Sequence, residues 1–115
     1  MAAKRFDMTP FFHEPVQLSF AGQDSITYHA KKAFTITEFR PKKGHAGAPY
    51  PFLSPVEASS PWEAQDDGTG NWSVNFGPPK KEAVNHGYHA IFEHGTSKSP
   101  AARAAEGDPD VDITP

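Results

Sequence analysis

The chain has 115 residues, one domain's worth, with 11 Lys/Arg against 14 Asp/Glu for a net charge of −3, and no cysteine. Leu, Ile, Val and Phe together number only 20 and Gly plus Pro 21, so a large self-sufficient core is not expected, and the modest charge argues against full disorder. These counts exclude a disulfide framework, a thiolate metal site and a cysteine nucleophile, no apolar run nears the roughly 20 residues of a transmembrane helix, and a pI near 6.0 speaks against a general nucleic-acid binder.

The start, Met1-Ala2-Ala3-Lys4-Arg5-Phe6-Asp7, has charges but no following apolar stretch, so no classical secretion signal is expected and the chain reads as soluble, cytoplasmic or part of a virion. Residues 1–14 read as an extended arm. Phe6, Met8, Phe11 and Phe12 are too apolar for a solvated tail, yet Pro10 and Pro15 interrupt regular structure. Residues 15–97 read as one small β domain. Val16, Leu18 and Phe20 alternate with polar residues, then Ala21-Gly22-Gln23-Asp24 supplies a turn. Ile26, Tyr28, Ala30, Phe34 and Ile36 share the next face, so 16–20 and 25–39 are expected to form a hairpin. Lys32 interrupts that face and Phe39 has switched parity, which predicts a bulge or bend near each.

A proline-rich insertion covers about 41–65, with Pro41, Pro49, Pro51, Pro55 and Pro61. It excludes a long helix or central strand. Tyr50, Phe52, Leu53, Val56 and Trp62 are nonetheless large and apolar, so the segment should be pinned against something. Ser54-Pro55-Val56-Glu57 and Ser60-Pro61-Trp62-Glu63 each predict a short helical turn with Ser as N-cap, Pro at N1 and Glu at N3. Asp66-Asp67-Gly68-Thr69-Gly70-Asn71 is a turn that lacks the ligand spacing of a calcium loop. Trp72, Val74 and Phe76 predict a short strand, and Val84, His86, Tyr88, Ala90 and Phe92 another that ends at Gly95. Trp72, Val74, Phe76, Tyr88 and Phe92 are assigned to the core. Residues 98–115 predict a short helix over 101–106, then an acidic tail carrying Glu106, Asp108, Asp110 and Asp112.

The chemistry-bearing residues are few. His86, His89 and His94 with Glu93 are the candidate metal ligands. On a strand, however, His86 and His94 lie about 26 Å apart at ~3.3 Å per residue, and His89 and Glu93 point to the other face. A partner such as His13, His29 or His45 would have to complete any site. There is no nucleophile elbow and no glycine-rich phosphate cradle. The basic pairs Lys31-Lys32, Lys42-Lys43 and Lys80-Lys81 form no continuous stripe, and lysines guarding sheet edges account for them.

The expected fold is mainly β, a small antiparallel sheet closed as a sandwich or partial barrel, with long proline-rich arms and one or two short helical turns. Ordering such arms costs about 1–2 kcal/mol per residue, which burial of their rings must offset. The expected function is therefore that of a non-enzymatic structural or interaction protein without a cofactor. It would be a component of a larger assembly of protein subunits, copies of itself among them. Capsid decoration or cement proteins and accessory subunits are built this way, an architectural comparison with no motif behind it. Phe6, Phe11, Phe12, Tyr50, Phe52 and Trp62 are the expected partner-binding anchors. The alternatives are a small β-barrel metal-dependent enzyme using residues 86–94, or a peptide-binding module that pairs a strand at its sheet edge.

Overall fold

The computed structural model describes residues 2–7, 15–96, 99–103 and 110–115, with the backbone alone described over 94–96 and 99–103. It is mainly β. Among the described residues, ten strands run in chain order: β1 (Ala3–Asp7), β2 (Val16–Ser19), β3 (Ser25–Ala30), β4 (Phe34–Pro41), β5 (Trp62–Glu63), β6 (Gln65–Asp66), β7 (Trp72–Phe76), β8 (Gly87–Thr96), β9 (Ser99–Arg103) and β10 (Asp110–Thr114). They form two sheets, one ordered β1-β3-β7-β6 and the other β2-β10-β8-β4-β5, with β9 added against β8. Most pairs are antiparallel, but β1 joins β3 and β2 joins β10 in parallel. Parallel neighbours require crossovers rather than tight turns. The architecture is therefore a sandwich of interleaved strands rather than a meander.

Alternation decides which side chains enter the space between the layers. Ile26, Tyr28 and Ala30 of β3 and Phe76 of β7 point inward from one sheet. Phe34, Ile36 and Phe39 of β4, Tyr88, Ala90 and Phe92 of β8, and Val111 and Ile113 of β10 point inward from the other. Tyr28, Phe76 and Phe39 meet across the layers, with centroids 6.2 Å apart for Tyr28–Phe39 and 4.9 Å for Phe39–Phe76. Trp72 and Val74 are only partly buried at the flank of this core. The parity switch at Phe39 has a local cause. Ile36 pairs with Phe92 and Glu38 with Ile91, so Thr37 is an extra residue on β4, a bulge that returns Phe39 to the core face.

Several expectations from the sequence are corrected. Residues 16–20 and 25–39 are not a hairpin. β2 and β3 lie in different sheets, because the turn between them carries the chain across the sandwich. The Asp24 carboxylate holds that corner, accepting the Ser19 amide at 2.9 Å and the Ala2 amide at 3.0 Å. The interruption at Lys31-Lys32 is likewise a corner, where the chain leaves the first sheet for the second. Residues 3–7 are a strand rather than a free arm, since β1 pairs along its whole length with β3 and buries Phe6. Residues 8–14 lie outside the described residues.

The two capping boxes are absent. The Ser54–Pro55 and Ser60–Pro61 peptides are cis, and only one 3₁₀ turn, Glu57–Ser59, forms between them. Val56 stands at its N-cap without a side-chain bond. A second 3₁₀ turn, Lys81–Ala83, precedes β8. The stretch expected to be helical over 101–106 begins as β9, which pairs back on β8; its last residues, 104–106, lie outside the described residues. An isolated helix so short is marginal, and a neighbouring strand offers its backbone better partners. The acidic tail is corrected most strongly. Residues 110–114 are an interior strand between β2 and β8, with Val111 and Ile113 buried and Asp110 and Asp112 on the opposite face.

Candidate functional site

The proline-rich insertion is pinned, as its rings require, but to this chain. Phe6, Tyr50, Phe52 and Trp62, expected as partner anchors, are each 7% exposed or less within the single chain. The reason is geometric. Tyr50 stacks on Trp62 at 5.4 Å, Trp62 meets Phe76 edge-on at 5.2 Å, and Phe52 meets Phe39 at 5.0 Å. Each such ring pair adds about 0.5–1.5 kcal/mol beyond the area it buries. The polar tips are satisfied sideways: the Tyr50 hydroxyl donates to the Pro55 carbonyl at 2.6 Å, and the Trp62 indole donates to Ser59 Oγ at 3.0 Å. Burial also pushes the Tyr50 hydroxyl pKa upward, so it stays a donor. These four rings hold the fold together and are not free to anchor a partner. Phe11 and Phe12 lie outside the described residues.

What the insertion leaves outside is Leu53 at 56% and Val56 at 60% exposure, the two exposed large apolar side chains among the described residues. Neither sits on a loose loop. The Leu53 amide donates to the Pro78 carbonyl at 2.9 Å, and the Gly77 amide to the Ser54 carbonyl at 2.9 Å, so the segment is tied to the end of β7. Phe52 also forms a bridge with Pro79. A cleft of about 180 Å³ is lined by Thr37, Glu38, Phe39, Tyr50, Glu57 and Trp62, among others. A shallower apolar hollow of about 260 Å³ lies at Ala2, Ala3, Gln23, Ser25, Gly77 and Pro78. The sequence marked Leu53 and Val56 as unusually apolar for a proline-rich stretch but ranked them below their aromatic neighbours. Ring size was the misleading signal.

The histidines are dispersed into separate contacts. His89 on β8 meets Asp110 of β10, Nδ1 to Oδ1 at 2.7 Å. Lys42 adds its ammonium to the same strand, 3.0 Å from Asp112 and 3.6 Å from Asp110. This cluster is where Asp110 and Asp112 of the acidic tail find their counter-charge, in Lys42. His86, just before β8, turns instead to His45, with the two Nδ1 atoms 3.3 Å apart. His29 on β3 bridges Asp7 of β1 at 3.1 Å and Asn71 at 3.2 Å, and Arg5 approaches its Nδ1 at 3.0 Å. The Arg5 guanidinium, and behind it His29, hold the Asp7 carboxyl below its ordinary range. The side chain of His94 lies outside the described residues. His86 and His89 therefore do not converge, and no group of three His, Cys, Asp or Glu side chains among the described residues could hold a metal ion.

The acidic turn is closed on itself. Asp66 accepts the Gly68 amide at 3.0 Å and Asp67 accepts the Thr69 amide at 2.9 Å. The bonds from Thr69 and Asn71 hold the Asp67 carboxyl below its ordinary range. No helix among the described residues is long and apolar enough to cross a membrane. No protein-family model, no curated protein and no solved structure matches the chain.

Proposed function

We propose that the chain is a non-enzymatic interaction protein, a small β-rich component of a larger assembly such as a capsid decoration or cement protein, or an accessory subunit. The observation that carries this reading is the pair Leu53 and Val56, held in the open by a segment whose large aromatic side chains, Tyr50, Phe52 and Trp62, are buried. A rigid segment presents apolar surface at little ordering cost, which favours association. Against the enzymatic alternative stands that none of the described histidines lines either hollow. The deciding experiment is size-exclusion chromatography with mass spectrometry on material from the native source. Co-migration with a large particle at fixed stoichiometry is expected. Recovery of the chain alone, as a monomer, overturns the proposal.

A further inference from the structure

The His45–His86 pair has a geometry that its role in the fold does not use. The two residues are distant in sequence, yet each is set by its own backbone. His45 sits in a turn where its amide donates to the Lys42 carbonyl at 2.9 Å and its carbonyl accepts the Ala48 amide at 3.0 Å. His86 donates its amide to the Ala83 carbonyl at 3.1 Å and accepts the Ile113 amide at 2.9 Å. The scaffold thus holds two imidazoles with Nδ1 atoms 3.3 Å apart and ring planes 80° to one another. Both are part-buried, which limits the rotamer freedom lost on binding.

A zinc ion bonds histidine nitrogen at about 2.0–2.1 Å, and a tetrahedral angle between two such bonds puts the nitrogens about 3.3–3.4 Å apart. The observed separation is that bite. A tetrahedral apex lies ~35° off the line between the nitrogens, so each ring turns by about that much to aim its lone pair at the ion. We propose that His45 and His86 form a two-histidine chelate for a borderline divalent transition metal, zinc being the reference case. In the metal-free pair one Nδ1–H donates to the other Nδ1. On binding, that proton relocates to Nε2 of its own ring, so both rings coordinate as neutral Nε2–H tautomers with no net change in charge. Two imidazoles suit zinc, nickel and copper rather than calcium or magnesium. No third His, Cys, Asp or Glu side chain among the described residues completes the set, so water fills the remaining positions and the site stays open to an added ligand. The inference does not depend on the assembly reading.

The test is isothermal titration of the full-length chain with zinc chloride, together with carbon-resolved NMR of the histidine rings. One zinc per chain is expected, with the His45 and His86 ring resonances moving together. His45→Gln and His86→Gln should each weaken binding about tenfold or more, as loss of one of two ligands requires. His29→Gln, His89→Gln and the double variant His13→Gln/His94→Gln should keep it. Zinc should also raise the melting temperature of the wild type but not of His45→Gln, a change in a surface turn that leaves the sheets intact. No saturable uptake at millimolar zinc, or undiminished affinity in both His45→Gln and His86→Gln, reduces the pair to a hydrogen bond and overturns the proposal.

Discussion

Gly77 sits at φ +141°, and a Cβ there would lie 2.8 Å from the Ser25 backbone. Gly77→Ala is therefore both conformationally strained and sterically blocked, and should cost about 2–3 kcal/mol in urea unfolding. Asp24 is the second special residue. Its two backbone hydrogen bonds, first that from Ser19, hold its carboxyl below its ordinary range. A depressed folded-state value contributes stability that is fully present above the unfolded value. That stability is lost as pH falls through the folded one. Wild type should therefore lose melting temperature on acidification below about pH 4, more steeply than Asp24→Asn. At neutral pH Asp24→Asn should be less stable by about 1.5–3 kcal/mol, the worth of bonds to a charged acceptor. Tyr28 shows the opposite case. Its hydroxyl is wholly buried without a hydrogen-bond partner among the described residues, and burial pushes its pKa up. Tyr28→Phe should be neutral or stabilising by about 1 kcal/mol, read from the denaturant midpoint. Tyr88, pushed up to about 12 by burial, escapes this penalty by donating to the Pro49 carbonyl at 2.6 Å.

Among the elements, β7 and β8 were legible because apolar and polar residues alternate without interruption over 72–76 and, from 87, as far as Ala90. The Phe39 irregularity was legible for the same reason, as a break in parity. β3 and β4 were found but mispaired. Periodicity states which face is buried and says nothing about which strand lies alongside. β10 was missed outright. It has two apolar residues, Val111 and Ile113, set among Asp110, Asp112 and flanking prolines, so its composition reads as solvent-loving. What turns it inward is remote: Lys42 pairs with the carboxylates of its outer face, His89 contacts Asp110 there, and β2 and β8 bond both of its edges. Gly87 completes the fit, since a Cβ there would collide with the Asp112 carboxylate and lie 2.9 Å from Lys42 Cδ. Ile113→Ala should cost about 2–5 kcal/mol in urea unfolding, as for any fully enclosed aliphatic side chain. A change of that size is incompatible with a dangling tail.

For the whole molecule, the expectation of a mainly β sandwich or partial barrel stands, while four of the six expected anchors, Phe6, Tyr50, Phe52 and Trp62, are buried in the chain's own core, and both outcomes have one cause. The sequence contains too few aliphatics for a core, and the sandwich makes up the deficit with rings drawn from its own proline-rich insertion. Where those rings would dock could not be read from spacing, because prolines erase the period on which such readings depend. Leu53→Ser combined with Val56→Ser tests the molecule at this scale. Folding stability should change by no more than about 0.5 kcal/mol, because exposed side chains contribute little. Under the proposed function, incorporation into the larger assembly, measured by mass spectrometry of material from the native source, should fall sharply.

The placement of β10 also governs when the protein becomes itself during synthesis. Thr114 reaches back to the Leu18 carbonyl across 96 positions of chain, and β2 bonds only β10 among the described strands. At a translation rate of ~5–20 residues per second, β2, the first-made strand of this layer, waits ~5–20 s for its mate. A chain without Asp110–Thr114 leaves Leu18 and Tyr88 without their cover. Burial of this layer is thereby coupled to the synthesis of β10, and copies that end before it leave apolar surface uncovered.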